Sequence, residues 1–151
     1  MSAAEELVTN ISIRRFEEPD LNTHGGWVMK RLTQRYPHHN ERFMATFLRG
    51  LIYSNEYLFL YQDHSVCLAQ MVRTKTLDAQ PVVQELFVWA QDPDNALHLQ
   101  EAANFYDRMV EWAKGLGVDT ILVEEDSDVP HEKIKERIGR IFTREIKFVR
   151  V

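Results

Sequence analysis

The stretch from Glu85 to Gly117 constrains the fold of this chain more than any other. Glu85-Leu86-Phe87-Val88-Trp89-Ala90 is a short apolar run with β-branched and aromatic residues, the pattern of a buried strand. Gln91-Asp92-Pro93-Asp94-Asn95 follows as a polar turn, with a proline to stop the strand and Asx side chains to cap a helix start. A long helix then runs to Gly115-Leu116-Gly117, with Phe105, Met109, Ala113 and Leu116 on one face, flanked by Ala102, Tyr106 and Val110. Val118 to Val123 is apolar again, which completes a βαβ unit. In such units the helix N-terminus aims free N–H groups and the positive dipole end beyond the strand tip, where a phosphate or carboxylate is the usual guest.

Length and composition bound the rest. A chain of 151 residues with 44% hydrophobic content is sized for one core and is not a disordered polypeptide. No stretch approaches the ~20 apolar residues of a membrane span, so no membrane partner is expected. Met1 to Glu6 offers no basic region and no apolar signal core, which argues against export and for a cytoplasmic protein. The single cysteine, Cys67, excludes an internal disulfide and sits in a strand pattern as an inert core residue. A net charge of −5 with dispersed Lys and Arg argues against nucleic acid as a partner.

Residues 1–10 read as a polar lead-in to a single domain over 11–151. Ile11 to Phe16 alternates as a first strand, and Asp20 is placed to cap a helix over roughly 21–35. Gly25-Gly26 costs about 1 kcal/mol per glycine inside that helix, so regular helix is expected only from about Trp27, and Pro37 ends it. Asn40 caps a second helix to about Ser54. There Phe43, Phe47 and Leu51 form one stripe and Met44, Leu48 and Ile52 its neighbour, a wide apolar face suited to a sheet. Tyr57 to Tyr61 and Val66 to Val72, the latter with an extension toward Leu77, form a hairpin about Gln62-Asp63-His64-Ser65. After Val123 come an acidic loop, Glu124 to Asp128, a short helix from His131 to about Ile138, and a last strand near Arg144 to Val151. The order β-α-α-β-β-β-α-β-α-β predicts an α/β (α+β) fold with a mixed sheet and helices on both faces.

That order and those lengths resemble the GCN5-related N-acetyltransferase (GNAT) fold over nearly the whole chain. Ile13-Arg14 with Asp20 looks like the family's opening strand and capped first helix. Asp63-His64-Ser65 falls at its hairpin turn, Trp112 to Val118 looks like the end of its cofactor helix, and Gly139 resembles the entry to its last hairpin. The resemblance implies an acetyl-CoA-dependent N-acetyltransferase whose pyrophosphate loop has the form [R/Q]-x-x-G-x-[G/A]. Two registers place that loop here, Leu97 to Ala102 and Gln91 to Ala96, and neither has the central glycine. In the second, Val88, Gln91, Asn95 and Ala96 are the cofactor-binding residues if the loop works. It also sets Asp92 and Asp94 against a dianion, and like charges ~4–5 Å apart repel by a few kcal/mol at an effective dielectric near 20.

The resemblance also implies an acid four residues before the glycine, where a tyrosine is usual, but Lys135 stands there. On a charged, exposed helix a lysine is a poor proton donor near neutrality. Glu85 on the fourth strand and Glu124 at the tip of the fifth are the candidate general bases for an incoming amine. Short-tailed bacteriophages encode small GNAT-like virion and assembly proteins with similarly eroded loops, and Ile138 to Glu145 has a faint likeness to them.

Other constellations read more simply. The acidic loop with His131 lacks the spacing and turn glycine of a calcium site, and Asp128 is placed to cap the following helix. His38-His39 points in two directions and completes no metal site, so no metal is expected. Lys133, Lys135, Arg137 and Arg140 alternate with Glu132 and Glu136 as a solvated face. Trp27 and Trp89 lie near the ligand mouth, where they either plug it or face a partner. The sequence therefore predicts a protein-binding or self-assembling module with an eroded coenzyme site and no expected cofactor, in the cytoplasm or a virion. The alternative is an N-acetyltransferase that uses acetyl-CoA, with Glu85 or Glu124 as base.

Overall fold

A computed structural model describes residues 13–38, 40–73, 81–123, 127–130, 132–136 and 147–150. Among these, β1 (Arg14–Arg15), β2 (Tyr57–Gln62), β3 (Ser65–Val72), β4 (Val82–Ala90), β5 (Thr120–Val123) and β6 (Lys147–Arg150) form one sheet in sequential order. Neighbours β1 to β4 are antiparallel, while β5 runs parallel to β4 and β6 parallel to β5. Helices α1 (Gly25–Arg35) and α2 (Glu41–Ile52) cover one face, and α3 (Ala96–Ala103) and α4 (Phe105–Gly115) cover the other. The mixed α+β architecture agrees with the sequence expectation. None of the described helices is long and apolar enough to cross a membrane.

The strands alternate as two-sided burial demands. Phe59, Val66, Leu68, Phe87 and Trp89 face Val28, Leu32, Met44 and Leu48 of α1 and α2. Leu60, Cys67, Ala69, Val83 and Val88 face Phe105, Tyr106, Met109 and Val110. Cys67 is fully buried, and burial pushes its thiol well above the usual range, as an inert core residue requires.

Several boundaries differ from the sequence expectation. Asp20 does not cap α1. It is buried in a 3-10 turn, Glu18–Leu21, where it accepts both guanidinium nitrogens of Arg14 at 3.1 and 2.8 Å and the Glu17 amide at 2.7 Å. Helix α1 begins at Gly25 rather than near Trp27, because first-turn amides have no intrahelical partner and glycine costs little there. The long helix after the polar turn is two helices, broken at buried Asn104. The expected Asn40 cap is present, with its side chain accepting the Phe43 amide at 2.7 Å. Phe43 and Phe47 break the expectation that both stripes of α2 pack on the sheet: they are 52% and 40% exposed, while Met44, Leu48, Leu51 and Ile52 are buried. The lead-in, the extension of the third strand to Leu77, and Gly139 lie outside the described residues.

The centre of β4 carries the feature that shapes the site. Pairing with β3 slips between Leu68 and Ala69, so Leu68 opposes Phe87 while Ala69 opposes Glu85. Leu86 is the extra residue of a β-bulge, and such an insertion bends its strand. Consequently Leu86 and Phe87 both pack toward α1 and α2, while Glu85 turns toward α4. Beyond the bend β4 parts from β5, and among the described residues the two pair only at Val83 and Gln84.

Candidate functional site

The parting of β4 from β5 leaves backbone groups that need partners, since buried N–H and C=O groups are costly unpaired. The segment 127–130 supplies them. The Asp128 amide donates to the Val88 carbonyl at 3.4 Å, and the Ala90 amide donates to the Asp128 carboxylate at 2.9 Å. Arg31 of α1 closes the arrangement, gripping the same carboxylate through both terminal nitrogens at 2.6 and 2.7 Å and donating to the Ala90 carbonyl at 3.1 Å. Its guanidinium lies 4.6 Å above the Trp89 ring. Among the described residues Asp128 therefore accepts from no amide of the following helix, in contrast to the cap that the sequence suggested. Its carboxylate is committed to Arg31 and Ala90, and residues 132–136 turn helical after Pro130 instead.

The polar turn falls at residues 91–95, with α3 starting at Ala96, so the register Gln91 to Ala96 coincides with the turn and the register Leu97 to Ala102 lies inside the helix. Its amides are engaged internally. Gln91 donates to the His64 carbonyl at 2.8 Å, Asp92 to His98 Nδ1 at 3.2 Å, Asp94 to the Asp92 side chain at 3.1 Å and Asn95 to the Asp92 carbonyl at 3.0 Å. The Asn95 side chain caps α3 by accepting from Leu97 and His98 at 2.9 and 3.3 Å. Pro93 has no amide hydrogen to give. His64 and His98 stack with centroids 4.3 Å apart, and Glu101 holds His64 through its amide at 3.1 Å and its ring Nδ1 at 3.3 Å. Gln91, Asp92, Asp94 and Ala96 are solvent-exposed, so both carboxylates stand at the surface of the turn.

Glu85 is completely buried on the α4 side. The Tyr106 hydroxyl donates to its Oε1, the Ser127 hydroxyl lies 2.8 Å from the Tyr106 oxygen, and the Val129 amide donates to Ser127 at 3.4 Å. Burial, reinforced by the Glu85 charge, drives the Tyr106 phenol well above its ordinary pKa, so it remains a donor. Val88 has no exposed side-chain surface, whereas Lys135 is exposed on the 132–136 turn. Glu124 lies outside the described residues. Among those residues no group of three His, Cys, Asp or Glu converges on a metal position.

Sequence reasoning missed Arg31, the Asp128 pairing and the role of Tyr106. A signal existed for the last, because a carboxylate inside an apolar strand requires a donor and Tyr106 is the hydroxyl on the buried face of the helix. Trp89 is buried beneath Arg31, while Trp27 is half-buried and donates from Nε1 to His24 Nδ1 at 3.0 Å.

No protein-family model and no curated protein matches the chain. Among solved structures it is similar to the acetyltransferase from Vibrio fischeri, at 14% identity and a TM-score of 0.54 over 74% of this chain and 93% of that one. It is also similar to the apo aminoglycoside antibiotic 6'-N-acetyltransferase AAC(6')-IG from Acinetobacter haemolyticus, at 16% identity and a TM-score of 0.54 over 91% of this chain and 94% of that one. At such identities the likeness establishes the fold and not the activity. With the bulged, splayed fourth strand and the helices on both faces, it establishes that the chain has the GNAT fold its sequence resembles.

Proposed function

We propose that this chain is a non-catalytic, protein-binding module on a GNAT scaffold, with a coenzyme seat turned to internal structure. The observation that carries this reading is the fate of the turn amides. Those of Gln91, Asp92, Asp94, Asn95, Leu97 and His98 all have intramolecular acceptors. A pyrophosphate would have to displace those acceptors beside two exposed carboxylates, at a cost of a few kcal/mol in repulsion alone. The edge of β4 is likewise occupied, since Asp128 takes the Val88 carbonyl and the Ala90 amide. Glu85 serves in this reading as a buried hydrogen-bond acceptor for Tyr106, shielded from an incoming amine.

The second reading is an acetyl-CoA-dependent N-acetyltransferase acting on a primary amine, with Glu85 or Glu124 as base. It is favoured by the named activities of the two similar structures. Thermal unfolding with acetyl-CoA separates the two. Ligand at a hundredfold excess over Kd adds ~2.7 kcal/mol of stability, or roughly 5–10 °C in Tm for a domain of this size. The non-catalytic reading expects no shift at millimolar acetyl-CoA. A shift of several degrees would replace it with the enzymatic one.

A further inference from the structure

We infer that the α1–α2 face binds an acidic segment of another protein that carries aromatic or aliphatic anchors. This rests on the reading of the chain as a protein-binding module, and names the surface and the chemistry of the partner.

Phe43 and Phe47, on successive turns of α2, expose half and two-fifths of their surface with their rings parallel at 6.5 Å. Tyr36, just past the end of α1, is 44% exposed. The three border a cavity of about 250 Å³ whose lining includes Leu86 and Trp89. Leu86 reaches it because the bulge turns two consecutive β4 side chains to this face. Contiguous exposed apolar surface around a concavity marks an interaction site. The volume falls below the ~300–1,000 Å³ typical of small-molecule pockets and matches one or two inserted side chains, which is how interface anchors dock.

The charge around this surface selects the partner. Between Gly25 and Ile52 the chain carries Lys30, Arg31, Arg35, Arg42 and Arg49 against Glu41 alone, within a protein of net charge −5. Arg31 is committed to Asp128 and Arg49 approaches Glu18 at 4.0 Å. Arg35 lines the cavity, and Arg42, beside Phe43, is exposed. This local excess of cations attracts an acidic chain and repels an ammonium-bearing one. It also disfavours a second copy docked through the same face, because an isologous contact would set the basic residues of both copies against one another.

The test is selection of random twelve-residue peptides displayed on phage against the immobilised intact protein, followed by fluorescence anisotropy on the enriched sequences. The expected peptides combine Asp or Glu with Trp, Phe or Leu, and bind more weakly as salt is raised. Affinity should fall at least tenfold in Phe43→Ser/Phe47→Ser and at least tenfold in Arg35→Glu/Arg42→Glu. Thermal unfolding verifies that each variant is folded, and the charge pair keeps the test open should the Phe pair misfold. Neutral or basic winners, no enrichment at all, or affinity unchanged in both folded variants would overturn the proposal. So would a dimer seen by light scattering that Phe43→Ser/Phe47→Ser disperses, since the face would then belong to self-association. Acetyl-CoA binding would sink the non-catalytic reading whatever the peptides do, whereas peptide failure without coenzyme binding removes only this surface.

Discussion

Tyr106 and Glu85 show how one polar contact holds the centre of this fold. A carboxylate as completely buried as that of Glu85 is costly unless donors meet it, and Tyr106 supplies one from the facing helix. Tyr106→Phe leaves the packing and removes the donor, so it should destabilise the protein by ~1.5–3 kcal/mol, the range for hydrogen bonds to charged groups. Urea unfolding measures this, and a loss under ~0.5 kcal/mol would mean that Glu85 is satisfied without the phenol. His24 predicts a pH effect. Burial lowers its pKa, with the Asp20 charge opposing, and its Nδ1 must stay unprotonated to accept from Trp27 Nε1. Because the unfolded chain binds this proton more tightly, the His24 contribution is complete above pH 6.5. It is lost as pH falls through 6.5 toward the lower folded value. The drop in Tm between pH 7.5 and pH 5.5 should therefore be larger in the native protein than in His24→Gln. Equal drops would exclude His24 as the source.

At the level of elements, local chemistry was legible and anything set by distant packing was not. Asn40 and Asn95 cap α2 and α3 as Asx residues before apolar runs should, and the β2–β3 hairpin turns at Asp63, whose φ of +23° an Asp tolerates. The bulge was hidden because Leu86-Phe87 is apolar at both positions, so the sequence reads equally well in either register. The break at Asn104 was hidden because the apolar spacing through Ala102, Phe105, Tyr106 and Met109 continues across it. Helix α2 misled in the opposite sense: its period marks Phe43 and Phe47 as core, yet one helix face presents only Met44, Leu48 and their neighbours to the sheet. In the candidate site the turn itself was readable from Pro93 and the Asx residues. The distant acceptors at its entry were not, since the His64 carbonyl that takes the Gln91 amide and the Asp128 carboxylate that takes the Ala90 amide arrive from elsewhere in the chain.

Across the whole molecule, the Arg31–Asp128 pair joins what the sheet would otherwise leave apart. Arg31 belongs to the helical layer on one face, and Asp128 follows β5, whose partner β4 has already bent away. Both oxygens of Asp128 are used, one shared between Arg31 and the Ala90 amide, in a setting where Asp128 is nearly buried and Arg31 is about a quarter exposed. The geometry is bidentate and backed by the Trp89 ring, conditions under which an ion pair exceeds the usual worth of surface pairs. Removing one partner strands the other, so Asp128→Ala should cost ~3–5 kcal/mol. Arg31→Met should cost at least as much, because it leaves the nearly buried Asp128 carboxylate with the Ala90 amide in place of the bidentate pair, whereas the Arg31 stranded by Asp128→Ala is partly open to water. A double-mutant cycle should return a coupling of ~1–3 kcal/mol, within the range for directly bonded groups. Hydrogen exchange supplies the structural readout. In Asp128→Ala the Ala90 amide loses its acceptor and should exchange faster, while the β3-paired amides of β4 keep their protection. A coupling near zero, or an Ala90 amide equally protected in Asp128→Ala, would mean that the cleft between β4 and β5 is held shut by the packing of Val129 and Ile134 alone.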